Sequence, residues 1–273
     1  MEDGVTHKNI PASVHANLPQ LVELLRAERG EQETVGSTSS NPKAQWDVFR
    51  ALVNTRPPVP ANDELLVLQD EFLRDIIAYR GITGPMDIEP CPHDSRIALW
   101  RGDITTLAAD AIVNAANSQM LGCFVPGHFC IDNAIHTFAG VQLRIECARL
   151  MNEQGYAEPT GMAKVTDAFN LPSRHIIHTV GPIAQGEPSS LDRALLANCY
   201  TACLDAADEL DCASIAFCCI STGAFGFPQE QAAPIAVRTV EEWLDAHPDA
   251  SVKRVIFNVF SEHDEKAYEE LLA

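Results

Sequence analysis

Short apolar runs rich in β-branched residues alternate with longer amphipathic stretches from residue 96 onward, and this alternation constrains the fold most strongly. The pattern predicts strands at RIALW, DAIVNA, HIIHTV, SIAFCCI and RVIFNVF, and helices at about 132–150, 190–209, 229–246 and 262–272. Strands that alternate with helices indicate a layered α/β fold with a mostly parallel sheet. Ligands of such sheets bind at the carboxyl ends of the strands, so we expect a site in the segments that follow them.

Residues 1–90 have a different pattern, which predicts helices joined by loops. NLPQLVELLRAER has apolar residues at helical spacing, and Asn41 and Pro42 are suited to begin the helix KAQWDVFRALVNT. Asn62 or Asp63 is suited to cap ELLVLQDEFLRDIIAYR, and GEQETVGSTSSNP is typical of a polar linker. We therefore predict a helical extension over 1–90, packed on an α/β domain over 91–273, and no catalytic residue is evident in the extension.

The chain is strongly acidic, since its 273 residues include 38 Asp and Glu but only 19 Lys and Arg, for a net charge of −19. Such a surface repels phosphate backbones and anionic membranes, so we expect neither nucleic acid nor a membrane as a partner. A small anionic ligand is compatible with it, because backbone N–H groups can hold a phosphate. No apolar run is long enough for a membrane helix, and no signal peptide is evident. Several of the nine cysteines lie in apolar runs, which favours buried thiols over a disulfide framework. Together these features favour a cytoplasmic protein.

Polar residues follow the first two predicted strands. Asp103, in RGDIT, offers a carboxylate to a donor such as an amino group on a base, although an ordinary Asp turn before a helix would have the same sequence. Asn114 and Asn117, in VNAANSQM, carry amides whose paired donor and acceptor suit sugar hydroxyls. Asparagine is also common in turns, so both interpretations stay open.

The segment GCFVPGHFCIDNAIH contains Cys123, His128 and Cys130 within eight residues. Thiolates and imidazole are the ligands that zinc prefers, and three close ligands without an obvious fourth fit an open site that water or substrate completes. A loop with unrelated Cys and His residues is the alternative. Asp132 follows two residues later and is predicted both to cap the next helix and to place a carboxylate beside the metal. His136 is expected to lie on the helix face.

The segment ISTGAFGFPQEQA follows the apolar run IAFCC. Its glycines, Gly223 and Gly226, with Ser221 and Thr222, form a loop whose N–H groups could cradle a diphosphate. It is neither a Walker loop nor a GxGxxG motif, because lysine is absent and the spacing differs.

In this order, GDIT, IVNAAN, CIDNAIH, HTVGP and STGAFGFP resemble the motifs of the macrodomain family, which binds ADP-ribose, and the resemblance covers about residues 96–273. The insertion GCFVPGHFC is similar to that of the zinc-dependent macrodomains, a microbial class often linked to sirtuin-type ADP-ribosyltransferases, whose members carry a helical N-terminal extension. Other hydrolytic classes have a glycine-rich GGGVDxAIH here. The resemblance implies a three-layer α/β/α fold with a mixed, mostly parallel sheet, and a metal-assisted mechanism.

The resemblance also implies roles for individual residues. Asp103 and Ile104 would contact adenine, Asn114 and Asn117 the distal ribose, and Asp132 with Asn117 would be catalytic. The expected diphosphate loop comprises Ser221, Thr222, Gly223, Ala224, Phe225 and Gly226, and the expected ligands of one zinc ion per chain are Cys123, His128 and Cys130.

The predicted function is a zinc-dependent hydrolase that removes mono-ADP-ribose from modified protein side chains, with an ester link to acidic residues. Two alternatives remain open at this point. One is a module that binds ADP-ribose without cleaving it, and the other is a hydrolase of a free derivative such as O-acetyl-ADP-ribose.

Overall fold

The computed structural model describes residues 16–31 and 41–273. Within them, the extension forms three helices, α1 (Leu18–Glu28), α2 (Pro42–Asn54) and α3 (Asp63–Arg80). The expected caps are present, because the Asn41 side chain accepts from the N–H of Lys43 and that of Asn62 accepts from the N–H of Leu65. Most of the predicted polar linker lies outside the described residues.

Six strands form one sheet. They are β1 (Ile97–Arg101), β2 (Ala111–Ala116), β3 (Ala163–Asp167), β4 (His175–Val180), β5 (Ser214–Phe217) and β6 (Arg254–Val259). Their order is β1-β6-β5-β2-β4-β3, and every pair is parallel except β3 with β4. The predicted mixed, mostly parallel sheet is confirmed. The edge strand β3 was not predicted, because AKVTD is only partly buried and has no apolar run.

Five helices cover the sheet, α4 (Ile131–Ala139), α5 (Val141–Gln154), α6 (Ser190–Glu209), α7 (Gln229–Ala246) and α8 (Glu262–Leu272). One layer consists of α6, α7 and α8 packed in succession, and the other contains α4 and α5 together with the extension, since α2 and α3 pack on α4. The three-layer α/β/α arrangement is therefore confirmed. Among the described helices, none combines the length and the apolar character needed to cross a membrane.

The single helix predicted at 132–150 is wrong, because Gly140 divides it into α4 and α5. Gly140 has φ of +100°, and a Cβ there would lie 2.6 Å from side-chain atoms of Gln142 and Gln69. That conformation is strained for a residue with a side chain. The break lets Gln69 of α3 accept a hydrogen bond from the N–H of Val141, so the extension is tied to the start of α5.

One hydrophobic core runs through both parts of the chain. Trp46 of α2 packs on Phe49 and Phe72 inside the extension, and its ring also lies 5.5 Å from that of Phe138 in α4. The extension therefore shares buried aromatic surface with the helix that carries Asp132.

Candidate active site

A cavity of about 890 Å³ opens at the carboxyl ends of β1, β2, β5 and β6. This is the edge of the sheet where ligands of α/β folds bind, and the volume is within the range of small-molecule sites. Most of the predicted site residues line it, namely Asp103, Ile104, Asn117, Cys123, His128, Cys130, Asp132, Ser221, Thr222, Gly223, Ala224 and Phe225. Asn114 and Gly226 are not among the lining residues.

Asp103 lies at one end of the cavity, where its carboxylate already has partners. Oδ1 accepts from the backbone N–H of Thr105 at 3.0 Å and from its hydroxyl at 2.6 Å, while Oδ2 accepts from Arg80 at 3.0 Å. Each carboxylate oxygen has about two acceptor positions, so Oδ2 keeps capacity for one further donor. Arg80 belongs to α3, and its guanidinium lies 4.3 Å from the ring centre of Phe138.

The loop after β5 turns back on itself at its far end. The N–H of Gly226 donates to the carbonyl of Gly223, and the N–H of Phe227 donates to that of Ser221, both at 3.0 Å. Gly226 therefore closes the turn and does not offer its N–H to a ligand, which differs from the role expected for it. The part of the loop that lines the cavity comprises Ser221, Thr222, Gly223, Ala224 and Phe225.

Asp132 lies on α4 and lines the cavity with its side chain 92% buried. The prediction that it caps the helix is wrong, because the cap is Cys130, whose sulfur accepts from the N–H of Asn133. Burial raises the pKa of Asp132 to about 6, opposed by hydrogen bonds from Asn114 and Asn117 and by the charge of Arg144. The distances are 2.8 Å from Asn114 Nδ2 to Oδ1 and 3.4 Å from Asn117 Nδ2 to Oδ2.

Asn114 is fully buried beneath Asp132 and does not line the cavity, so the structure does not show the ribose contact expected of it. Its amide nitrogen donates to Asp132 and to Nδ1 of His178, 3.0 Å away. Burial lowers the pKa of His178 to about 3, so the ring is neutral. With Nδ1 accepting, Nε2 carries the proton and donates to the Thr166 hydroxyl at 3.0 Å.

The metal loop, residues 121–130, brings the three predicted zinc ligands together. Cys123 Sγ and His128 Nδ1 are 3.5 Å apart, and the ligand atoms of Cys123, His128 and Cys130 all lie within 4.8 Å of one another. Tetrahedral zinc with ordinary bond lengths separates sulfur and nitrogen ligands by about 3.6 Å. The donor set and its spacing therefore fit zinc, and all three residues line the cavity.

A second group of possible ligands, His136, Cys147 and His178, is buried in the core. Both nitrogens of His178 are engaged, since Nδ1 accepts from Asn114 and Nε2 donates to Thr166. This group fits a cation less well than the metal loop does. His136 lies on the buried face of α4 against Asp132, with Nε2 3.6 Å from Oδ1.

The extension contributes Trp46, Arg50 and Arg80 to the cavity wall, and these residues were not predicted. The sequence around these residues gave little indication of a site, since arginines in an amphipathic helix usually face solvent. The spacing of Trp46 and Arg50, four residues apart, does place them on one face of α2 and is the one sequence signal that could have indicated it.

Comparison with known proteins places this architecture in a family. The model of the Macro domain matches residues 113–236. The protein-ADP-ribose hydrolase of Treponema medium is 54% identical over 228 residues, which cover 83% of this chain and 87% of that protein. The enzyme of the same name from Staphylococcus aureus strain MRSA252 is 48% identical over 256 residues, which cover 93% and 94% of the two chains. The chain belongs to the macrodomain family.

Solved structures agree with this assignment. The Trypanosoma brucei macrodomain in complex with ADP-ribose has a TM-score of 0.61 and 28% identity, over 93% of this chain and 96% of that chain. The Oceanobacillus iheyensis macrodomain with ADP has a TM-score of 0.58 and 40% identity, over 64% of this chain and 88% of that chain. The first similarity includes most of the extension, since it spans nearly the whole chain.

Proposed function

We propose that this macrodomain is a zinc-dependent hydrolase that removes mono-ADP-ribose from modified protein side chains. Its assignment as a protein-ADP-ribose hydrolase rests on relatives of that name, which are 46–54% identical over most of the chain. The zinc dependence rests on one observation, that Cys123, His128 and Cys130 converge on the wall of the cavity beside Asp132.

The geometry supports an extended ADP-ribose across the cavity. Adenine would lie near Asp103 and Ile104, the diphosphate against the 222–225 loop, and the distal ribose near Asn117 and Asp132. The spare acceptor position of Asp103 suits the adenine amino group. The loop offers backbone N–H groups and no lysine, which is compatible with an acidic protein that binds an anion.

Hydrolysis of an ester at the distal ribose adds water across the bond between ribose and side chain. The oxygen of water forms a bond to C1″ of the ribose, the bond from C1″ to the linking oxygen breaks, and the side-chain carboxylate leaves with the electron pair. The attacking water loses one proton, which a base must accept. Asp132 is placed to accept it and to orient the water, because Asn114 and Asn117 hold its carboxylate at the cavity wall. A bound zinc would supply Lewis-acid chemistry and lower the pKa of a coordinated water towards about 7.

The decisive experiment measures release of ADP-ribose from an ester-linked ADP-ribosylated protein by wild type, by chelated protein and after zinc is restored. The matched variants are Cys130→Ser and Cys219→Ser. Serine keeps a cap acceptor at 130 but is a poor zinc ligand, and Cys219 also lines the cavity but lies outside the metal loop.

We expect chelation and Cys130→Ser to abolish both zinc content and hydrolysis, and Cys219→Ser to retain them. Full hydrolysis by zinc-free protein would refute the zinc dependence. Binding of ADP-ribose without turnover would indicate a non-catalytic binding module. Turnover of O-acetyl-ADP-ribose but not of the modified protein would show that the substrate is a free metabolite.

A further inference from the structure

The metal loop contains no helix or strand, so contacts from elsewhere must hold its ligands in place. Five polar side chains bond its backbone. Asn117, which follows β2, donates to the carbonyl of Gly122 at 3.1 Å. Arg144 donates to the carbonyl of Leu121 at 2.7 Å, and Asn133 to that of Val125 at 3.2 Å, from the helices that follow the loop. The other two side chains come from α2.

Arg50 of α2 lies 91% buried and reaches the loop next to a metal ligand. Its Nη2 donates to the carbonyl oxygen of His128 at 3.3 Å and to Oδ1 of Asn133 at 3.0 Å, and its guanidinium lies 5.3 Å from the ring centre of Phe129. The backbone of His128 is therefore bonded to the extension, while its ring faces Cys123.

Asn54, the last residue of α2, makes a second contact with the metal loop, at Gly127, the residue before His128. Its Oδ1 accepts from the N–H of Gly127 at 3.0 Å, and its Nδ2 donates to the hydroxyl of Thr137 in α4 at 3.0 Å. The side chain is almost fully buried and does not line the cavity. Any effect of Asn54 on the site must therefore pass through the loop or α4.

We propose that α2 is a structural part of the metal site, with Arg50 and Asn54 as positioning residues that hold the metal loop in its ligating conformation. The inference rests on the proposed zinc site. Groups that orient metal ligands typically contribute 10–100-fold to metal affinity or activity when they are removed. Because the two contacts fix neighbouring backbone groups, loss of either lets His128 leave the other two ligands more often.

The test measures the rate at which purified protein releases zinc to a chromophoric chelator. Arg50→Met keeps the length of the side chain and removes its hydrogen bonds, and Asn54→Ala removes the bond to Gly127. The control is Arg56→Met, since Arg56 is equally buried in the extension but pairs through its side chain with Glu28 and nearby carbonyls, away from the loop. Thermal unfolding of each zinc-free variant reports on folding separately.

We expect Arg50→Met and Asn54→Ala to release zinc about 10–100-fold faster than wild type, and Arg56→Met to release it at the wild-type rate. Unchanged release from the two loop variants would overturn the proposal while leaving the zinc site intact. A higher KM for Arg50→Met with normal release would assign Arg50 to substrate contact instead. If the wild-type protein carries no zinc, the proposed zinc-dependent function is refuted. That outcome is distinguishable from a failure of the present proposal, in which wild type carries zinc and the variants release it at the wild-type rate.

Discussion

Asp132 is held by a chain of hydrogen bonds that starts in the core. Thr166 accepts from His178, His178 accepts from Asn114, and Asn114 donates to Asp132. A neutral His178 accepts at Nδ1, which obliges the Asn114 amide to present nitrogen to the carboxylate. One oxygen of the carboxylate is therefore oriented by residues that a ligand cannot touch, whereas the other oxygen accepts from Asn117, which lines the cavity.

Replacing Asp132 with asparagine separates its chemical role from its structural one. Asn retains the shape and one acceptor oxygen for Asn114, and the helix keeps its cap because that cap is Cys130. We expect hydrolysis to fall about 100-fold or more, the usual effect of losing a general base, with zinc content and melting temperature nearly unchanged. Single-turnover assays, elemental analysis and thermal unfolding of the variant check this, and near-normal turnover with zinc bound would end the catalytic assignment.

At the scale of elements, local patterns predicted the helices and most strands well. The limits of α6, α7 and α8 agree with the periodicity, since apolar stripes and caps such as Ser189 and Ser261 are local features. The convergence of Cys123, His128 and Cys130 was also predictable, because they are close in sequence. The contribution of α2 to the site was not, because Arg50 and His128 are 78 residues apart and no local pattern encodes their contact.

Gly140 offers a test of the break between α4 and α5. In Gly140→Ala, both the positive φ and the 2.6 Å approach to Gln69 and Gln142 oppose the new methyl group. We expect a loss of about 1–3 kcal/mol or more in unfolding free energy, measured by urea denaturation. Gly81→Ala is the control, since φ there is +89° but nothing lies within 4 Å of the added Cβ. An equal loss in both variants would show that the backbone conformation alone, and not the contact with α3, requires glycine.

At the scale of the whole molecule, the extension and the α/β part behave as one packed unit. Trp46 and Phe138 share aromatic contact, and Arg144 donates to the carbonyls of Val53, Arg56 and Leu121. The extension therefore closes the core beneath the metal loop as well as one wall of the cavity. The boundary expected near residue 90 separates two sequence patterns and does not divide the core.

Two buried histidines make the free energy of unfolding depend on pH. Burial lowers the pKa of His178 to about 3 and that of His136 well below its usual range. Histidine in an unfolded chain has a pKa of about 6.5. Below that pH the unfolded chain binds protons at these two residues and the folded chain does not, so the free energy of unfolding falls as the pH falls. Each histidine lowers the free energy of unfolding by up to about 1.4 kcal/mol for each pH unit of acidification. The pKa of Asp132 is raised to about 6, so protonation of its carboxylate stabilises the folded chain as the pH falls from about 6 to 4.

We therefore expect chelated protein to lose stability from pH 7 to pH 5 in urea denaturation, and His178→Gln to lose less than wild type over the same range. Chelated protein is used so that acid release of zinc does not contribute. An identical pH dependence in wild type and variant would contradict a neutral buried His178.

The wall that Trp46, Arg50 and Arg80 form has a consequence for selective inhibition. The Oceanobacillus iheyensis macrodomain matches 64% of this chain over 88% of its own length, which leaves little of it to supply equivalent helices. A compound that fills the cavity and also contacts the indole of Trp46 and the two guanidinium groups would gain contacts here that such a compact macrodomain lacks. It would therefore bind this chain more tightly than macrodomains without the extension.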